Sequence, residues 1–84
     1  MSSVPDVKVE VFPIEPGRWI AVIEGPGGPF STEAPSPEQV EPEVRLAIAE
    51  VLGRTGVGLS LLDDLGSPWS PETAAKQAER LDVR

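Results

Sequence analysis

Proline and glycine constrain this chain more than any other residues do. Ten prolines and eight glycines are spread over 84 residues, and proline lacks the N–H that a helix interior or a central strand donates. Regular elements must therefore be short and joined by tight turns. A chain of this length forms one domain with a thin core. We expect a single domain over 1–84, in which 67–84 form a C-terminal helical extension.

The first two apolar segments alternate as strands do. In VKVEVF, residues 7–12, the valines point to one side while the charged residues and Phe12 point to the other. RWIAVIE, residues 18–24, is apolar on both sides, which is typical of a central strand. The linking PIEPG, residues 13–17, is rich in turn formers, so the two strands are predicted to form a β-hairpin.

Two more strands are predicted further along the chain. GPGGP, residues 25–29, is expected to interrupt the ladder, because its prolines lack an N–H and its glycines lack side chains to pack. Residues 30–33 then form the third strand of an antiparallel meander. Residues 57–61 alternate and are predicted to return to the sheet edge before a turn at 63–64. The alternative is a short helical turn of Leu61, Leu62 and Leu65 that ends at Gly66.

A proline-headed helix follows the third strand. Ser36 is placed to cap it, Pro37 occupies the first helical position, and Gln39 completes a capping-box pattern. Its apolar stripe comprises Val40, Val44, Ala47, Ile48, Val51 and Leu52, and Gly53 is the expected stop. Pro42 opposes the carbonyl four residues earlier. The regular helix is therefore predicted over 42–52, behind a loose or kinked first turn.

The C-terminal segment repeats the capping pattern. Ser70 is the expected cap and Pro71 the first helical residue. The narrow apolar face of this helix comprises Ala74, Ala75, Ala78 and Leu81. A helix of about three turns is marginal alone, so it needs an anchor such as Trp69. The predicted fold class is α+β: an antiparallel three- to four-stranded sheet packed by one main helix (βββαβ-like), plus this short C-terminal helix.

The formal charge of −7, with no histidine, limits the partners that this chain can attract. Autonomous nucleic-acid binding needs clustered Lys and Arg, and an anionic membrane surface needs them too. Neither partner is expected. An acidic surface attracts a basic protein, although acids that serve only solubility would produce the same composition.

The residues that usually carry chemistry are missing. With neither His nor Cys, the chain has no imidazole base, thiol nucleophile, disulfide framework or thiolate metal site. Asp63 and Asp64 fit a solvated turn better than a Ca²⁺ loop, since the spaced acidic pattern is absent. The glycines at 25–28 lack the Lys and the immediate helix start of a phosphate loop. We expect no enzyme activity, no metal and no cofactor.

The N-terminal segment and the length of the apolar runs indicate where the protein is located. MSSVPDVKVE has no basic start and no apolar core, so it does not look like a signal peptide. No apolar run approaches the ~20 residues that span a bilayer. We expect a soluble cytoplasmic protein.

The tryptophans are the most informative of the remaining side chains. Trp19 lies on the strand that is apolar on both sides and is predicted to be core. Trp69 lies in a proline-serine connection, where its ring either covers the open side of the sheet or forms an interface. Trp69 and the nearby Leu65 are the candidate interface residues.

The segment 7–52 resembles the N-terminal domain of HicB-type antitoxins. The matching residues are Gly17, Trp19 and Ala21 at the second strand, Gly25, Pro26 and Gly27 at the turn, Ser36 at the helix cap, and the apolar stripe from Val44 to Leu52. The resemblance implies a βββα(β) layer and a tendency to form homo-oligomers. Many members carry a C-terminal DNA-binding segment, for which the region after Gly53 is too short and too poor in basic residues.

Together these features predict a non-catalytic protein-interaction module, antitoxin-like, that binds a basic partner protein. Two alternatives remain. One is a standalone regulatory or scaffold homodimer, which would have the same fold. The other is a small ligand-binding domain that uses carboxylates, which would need acidic side chains converging on a pocket.

Overall fold

The structure contains four strands and two helices. It is a computed structural model that describes residues 7–82, with the side chains at positions 78 and 80–82 outside the description. The elements in chain order are β1 (Val7–Glu15), β2 (Arg18–Gly25), β3 (Gly28–Ala34), α1 (Pro37–Leu52), β4 (Leu59–Leu62) and α2 (Pro71–Asp82). The α+β class and the predicted order of elements are confirmed.

The strands form one sheet in the order β3-β2-β1-β4. β1, β2 and β3 make the predicted antiparallel meander. β4 lies at the predicted sheet edge but runs parallel to β1, so the sheet is mixed rather than wholly antiparallel. The reason is the connection: α1 carries the chain from the end of β3 back across the sheet, and a helical crossover delivers a parallel strand.

Both predicted turns are shorter than expected, because the strands run into them. β1 continues through Pro13 to Glu15, with a bulge in the register before Glu15. β2 and β3 stay paired to the closing pair of Gly25 and Gly28, and Pro29 pairs with the residue opposite it. The prediction that residues 25–29 interrupt the ladder is wrong. Pro29 is tolerated because β3 is an edge strand, where a missing N–H can face away from the sheet.

Both helices pack on the same side of the sheet. α1 lies over β3 and β2, and α2 lies over β1. The buried apolar residues between these layers are Val9, Val11, Trp19, Ala21, Ile23, Ala34, Val40, Val44, Ile48, Trp69 and Ala74. Two residues assigned to apolar stripes are exposed instead. Val51 is 59% exposed, in the last turn of α1, and Ala75 lies on the outer side of α2.

α1 begins at Pro37 and includes Pro42, so the predicted start of the regular helix at 42 is wrong. Ser36 occupies the N-cap position with extended backbone, but its hydroxyl makes no capping hydrogen bond. Pro42 and Glu38 are both exposed. The Glu38 carbonyl that Pro42 leaves without an intrahelical donor therefore faces water, and the helix continues past the proline.

Replacement of Pro42 should stabilise the protein. Pro42→Ala restores an N–H for the Glu38 carbonyl and removes the ring, and no packing is lost because the side chain is exposed. Helix propensity favours Ala over Pro by about 3 kcal/mol, offset by roughly 1 kcal/mol of extra freedom in the unfolded chain. We expect the free energy of unfolding, measured by urea titration, to rise by about 2 kcal/mol. An equal or lower value would contradict this account of the helix start.

The other helix boundaries are made by local hydrogen bonds. Gly53 ends α1 with φ at +67°, and its N–H donates to the Ala49 carbonyl at 3.1 Å. Only glycine adopts that conformation without strain, as the sequence predicts. At α2, the Thr73 N–H donates to Ser70 Oγ at 3.3 Å, and the Ser70 N–H donates to Thr73 Oγ1 at 2.9 Å. The predicted Ser70 cap is confirmed, with Thr73 as its reciprocal partner.

Candidate interaction surface

Within residues 7–82, one side of the sheet carries apolar residues that neither helix covers. Because Val9 and Val11 face the core, the alternate residue Phe12 faces the opposite side, together with Ile20 and Val22 of β2. Leu62 of β4 pairs with Glu10 of β1, which faces the same side. We call Phe12, Ile20, Val22 and Leu62 the open face. All four are half-buried.

The register brings these side chains together. Phe12 pairs directly with Ile20, whose other neighbour across the sheet is Glu33 of β3. Val22 pairs with Glu10 on one side and Ser31 on the other. Directly paired side chains on one face lie about 5 Å apart and contact each other. The result is a small apolar centre with polar and charged residues around it.

Acidic residues outnumber basic residues around the open face. Glu10, Glu24 and Glu33 lie on this side by strand alternation, with Lys8 and Arg18 as the bases. Arg18 is already engaged. It donates to Glu33 through Nε at 3.3 Å and Nη2 at 2.8 Å, and to Glu15 through Nη1 at 2.7 Å. The remaining electrostatic field of the face is therefore negative.

This ion pair sets the titration of Glu33. The hydrogen bonds from Arg18 hold the pKa of Glu33 below its ordinary value of 4.5, and the bonds from Glu33 and Glu15 raise the pKa of Arg18. Both side chains are about half exposed, so the pair adds little to stability in water. Its contribution is present above the unfolded pKa of Glu33 and is lost as the pH falls through the lower folded pKa.

The titration of Glu33 should depend on Arg18. In an NMR titration of the side-chain carboxyl, we expect a midpoint below 4.5 in the wild-type protein, and a higher midpoint in Arg18→Met, because the hydrogen bonds are gone. Lys8→Met is the matched control, since it removes the same charge elsewhere on the sheet. An unchanged Glu33 midpoint in Arg18→Met would show that the pair does not form in solution.

Of the two candidate interface residues, Trp69 is buried. It is 5% exposed, and its ring lies 6.1 Å from the ring of Trp19 at an interplanar angle of 59°. Its backbone N–H donates to the Leu61 carbonyl at 2.8 Å, which ties it to β4. The ring therefore lies in the core on the helix side of the sheet and not on the open face. A buried ring presents little surface to a partner.

Leu65 is 71% exposed at the tip of the turn between β4 and Trp69, and the two residues do not form one surface. Asp63 shapes this turn. Its Oδ1 accepts from the N–H of Leu65 at 2.8 Å and from that of Ser67 at 2.9 Å. The predicted turn at 63–64 is confirmed. Leu65 remains a candidate contact residue, separate from the open face.

Gln77 is a buried polar residue of α2, 4% exposed, that the sequence did not predict as a contact residue. Its Oε1 accepts from Trp69 Nε1 at 3.0 Å, and its Nε2 donates to the Val11 carbonyl at 2.8 Å and to Asp64 Oδ1 at 3.1 Å. A single glutamine among exposed polar residues leaves no signal in the sequence. It acquires its role only because α2 packs across β1.

A cleft of about 660 Å³ lies between this turn and α2, where Ser67, Pro68, Thr73 and Lys76 line it. Asp63 and Glu79 also line it, but the Asp63 carboxylate holds the turn. Within residues 7–82, no group of three or more acidic side chains is arranged to hold a metal ion. Neither helix of that range is long and apolar enough to cross a bilayer.

The open face did have a signal in the sequence. Ile20 and Val22 make β2 apolar on both sides, and an apolar residue on each side of a strand indicates cover on both. The two helices cover only one side of the sheet. Which side would stay uncovered could not be predicted, because that depends on where the chain places both helices.

Comparisons of this chain with protein-family models, with curated proteins and with solved structures found no match. The resemblance to HicB-type antitoxins therefore remains a prediction from the residues.

Proposed function

We propose that this chain is a non-catalytic, cytoplasmic protein-interaction module, antitoxin-like, that binds a basic protein through the open face. The observation that carries the proposal is the uncovered apolar centre of Phe12, Ile20 and Val22. The solvent side of an antiparallel sheet is ordinarily polar. An apolar patch that the protein's own helices leave uncovered, with a polar rim, is characteristic of a protein–protein contact.

Charge supports a basic partner. The chain carries a formal charge of −7, and Glu10, Glu24 and Glu33 lie around the apolar centre. Acidic groups at the rim of an interface raise the association rate of a basic protein and disfavour acidic competitors. The apolar centre then supplies the short-range contact that retains the partner.

The order of elements supports the antitoxin-like role. The sequence β1-β2-β3-α1-β4 agrees with the βββα(β) layer that the HicB resemblance implies. A toxin recognised by this surface would be a small basic protein with an exposed apolar group at the centre of its contact.

A homodimer with a regulatory or scaffold role is the second candidate, and the same open face favours it, since one self-complementary patch suits a two-fold contact. The effect of added salt on binding distinguishes the homodimer from the complex with a basic partner. Two chains that each carry −7 repel one another, so added salt strengthens self-association, whereas it weakens binding of a basic partner. The carboxylate ligand-binding alternative has less support, because the Asp63 carboxylate beside the described cleft is held by the turn.

The test is capture of the partner from the native host, identification by mass, and reconstitution from purified components. We expect a small basic protein whose Kd rises about tenfold or more between ~50 mM and ~500 mM salt. A partner of acidic or neutral character with salt-insensitive affinity would overturn the proposal. A concentration-dependent dimer that tightens with salt would favour the second candidate.

A pair of variants locates the surface. Val22→Lys places a cation at the apolar centre and should weaken the reconstituted complex about tenfold or more. Ala75→Lys makes the same charge change on the exposed side of α2, away from the open face. It should weaken the complex by less than about threefold. Equal losses in both variants would mean that net charge alone acts, and that the open face is not the contact.

A further inference from the structure

The two edges of the sheet differ in whether their backbone groups have hydrogen-bond partners. The outer edge of β4 is covered by the residues that follow it: the Trp69 N–H donates to the Leu61 carbonyl at 2.8 Å, and Asp63 N–H donates to the Ser67 carbonyl at 2.8 Å. Leu62 and Pro68 form an antiparallel bridge in the same place. At this short edge, the Leu61 carbonyl and the Asp63 N–H are therefore already bonded.

The outer edge of β3 carries backbone groups with no partner. The Val7 N–H and the Val11 carbonyl point away from β2. Backbone groups of successive residues in a strand point in opposite directions, so the N–H and carbonyl of Glu10 point toward β2 and bond with those of Val22. Val22 then has no groups left for β3. Its neighbour Ser31 must direct both its N–H and its carbonyl outward.

By the same alternation, Glu33 and Pro29 also face outward. Among residues 7–82, no backbone or side-chain partner is found for the N–H groups of Ser31 and Glu33. The edge thus offers two donors and three carbonyls over a short stretch. Pro29 at one end and Pro35 just past the other confine it, because neither can donate.

The charge next to this edge is negative on both sides of the sheet. On the open-face side, Glu33 and Glu15 share Arg18 as their cation, which leaves a net negative charge there. On the helix side, Arg45 reaches the Val57 carbonyl at 2.9 Å, so its flank of α1 faces β4. The opposite flank, which carries Glu43 and Glu50, therefore faces out beyond β3. A second copy of this chain would bring Glu43 and Glu50 against their own counterparts, whereas a basic segment would neutralise them.

We propose that the outer edge of β3 receives an extended basic segment of the partner protein as a fifth strand, paired to the backbone of Ser31 and Glu33. The inference rests on the proposed function and specifies how the partner binds: part of the partner becomes a strand that continues the sheet. Strand addition supplies main-chain hydrogen bonds for affinity and alternate side chains for specificity. Cationic residues at neighbouring positions of that strand point to opposite sides of the sheet, so one would meet Glu33 and the next would meet the acids of α1.

The probe is a blocked heptapeptide, Thr-Lys-Lys-Val-Lys-Lys-Thr, which places lysines on both sides of an added strand, and it is added to the full-length protein. At saturation we expect amide exchange of Ser31 and Glu33, followed by NMR, to slow about tenfold or more, because their N–H groups become bonded. The N–H groups of Phe30 and Thr32 already bond to β2 and should change little. Two control peptides are matched in length: one has Glu in place of Lys, and the other has N-methyl groups on alternate residues.

Two variants test the backbone pairing. Ser31→Pro removes the outward N–H without touching the ladder to β2, as Pro29 already does on the same strand. It should weaken peptide binding about tenfold or more, while Ser31→Ala should bind as the wild-type protein does. Circular dichroism checks the fold of each variant. If Ser31→Pro does not fold, the N-methylated peptide gives the same information without a mutation.

Three results with the peptides would overturn the inference: no binding of the basic peptide at millimolar concentration, equal binding of the N-methylated peptide, or slowed exchange only at amides outside β3. A reconstituted partner that binds Ser31→Pro normally but fails with Val22→Lys would leave the proposed function intact and refute the fifth strand. Dimerisation of the protein through β3, seen by sedimentation equilibrium, would also refute it.

Discussion

Gln77→Ala should lower the free energy of unfolding by about 3 kcal/mol. The substitution removes the acceptor of Trp69 Nε1 and the donor to the Val11 carbonyl, and both of these groups are buried. A buried polar group left without a partner costs about 1–3 kcal/mol, and the small cavity adds to this. Urea unfolding followed by tryptophan fluorescence and by circular dichroism measures the loss.

The control for Gln77 lies one residue earlier. Lys76 is exposed on the same helix, so Lys76→Ala should change the free energy of unfolding by less than about 0.5 kcal/mol. Trp69→Phe completes a double-mutant cycle, since it deletes the donor that Gln77 accepts from. We expect the losses of Trp69→Phe and Gln77→Ala to be less than additive. Additive losses would show that the two side chains are not bonded in solution.

Ile48→Ala should also lower the free energy of unfolding by about 3 kcal/mol, for a different reason. Ile48 is 1% exposed on the inner side of α1, within the cluster that includes Val44 and Trp19. Truncation of a buried aliphatic side chain loses its transfer free energy and leaves a cavity, with typical costs of about 2–5 kcal/mol. Thermal and urea unfolding would both report the change.

Leu46 is the matched control for Ile48, because it lies on the same helix and is 57% exposed. Leu46→Ala should cost less than about 1 kcal/mol, since most of the side chain already contacts water. Similar losses for Ile48→Ala and Leu46→Ala would mean that α1 does not present the face described here to the sheet. The comparison therefore tests the orientation of the helix and not only its presence.

Several elements could be predicted because their causes are local. The alternation of the valines in β1, the glycine at the end of α1 and the Ser70 cap of α2 each depend on residues within a few positions. Steric limits on φ and the hydrogen-bonding needs of helix ends apply wherever such residues occur. The Pro42 boundary was wrong for the opposite reason: the cost of an internal proline depends on whether water reaches the carbonyl it leaves unpaired.

Residue patterns were enough to predict where strands and helices occur, that the fold is α+β, and that the surface is acidic. Three features became visible only once the elements were packed: β4 runs parallel to β1, the helices leave Ile20 and Val22 uncovered, and Gln77 is buried. Propensity and periodicity act over a few residues, whereas burial depends on which distant segments meet. The bond from Gln77 to the Val11 carbonyl joins residues 66 positions apart, and neither residue type alone predicts that contact.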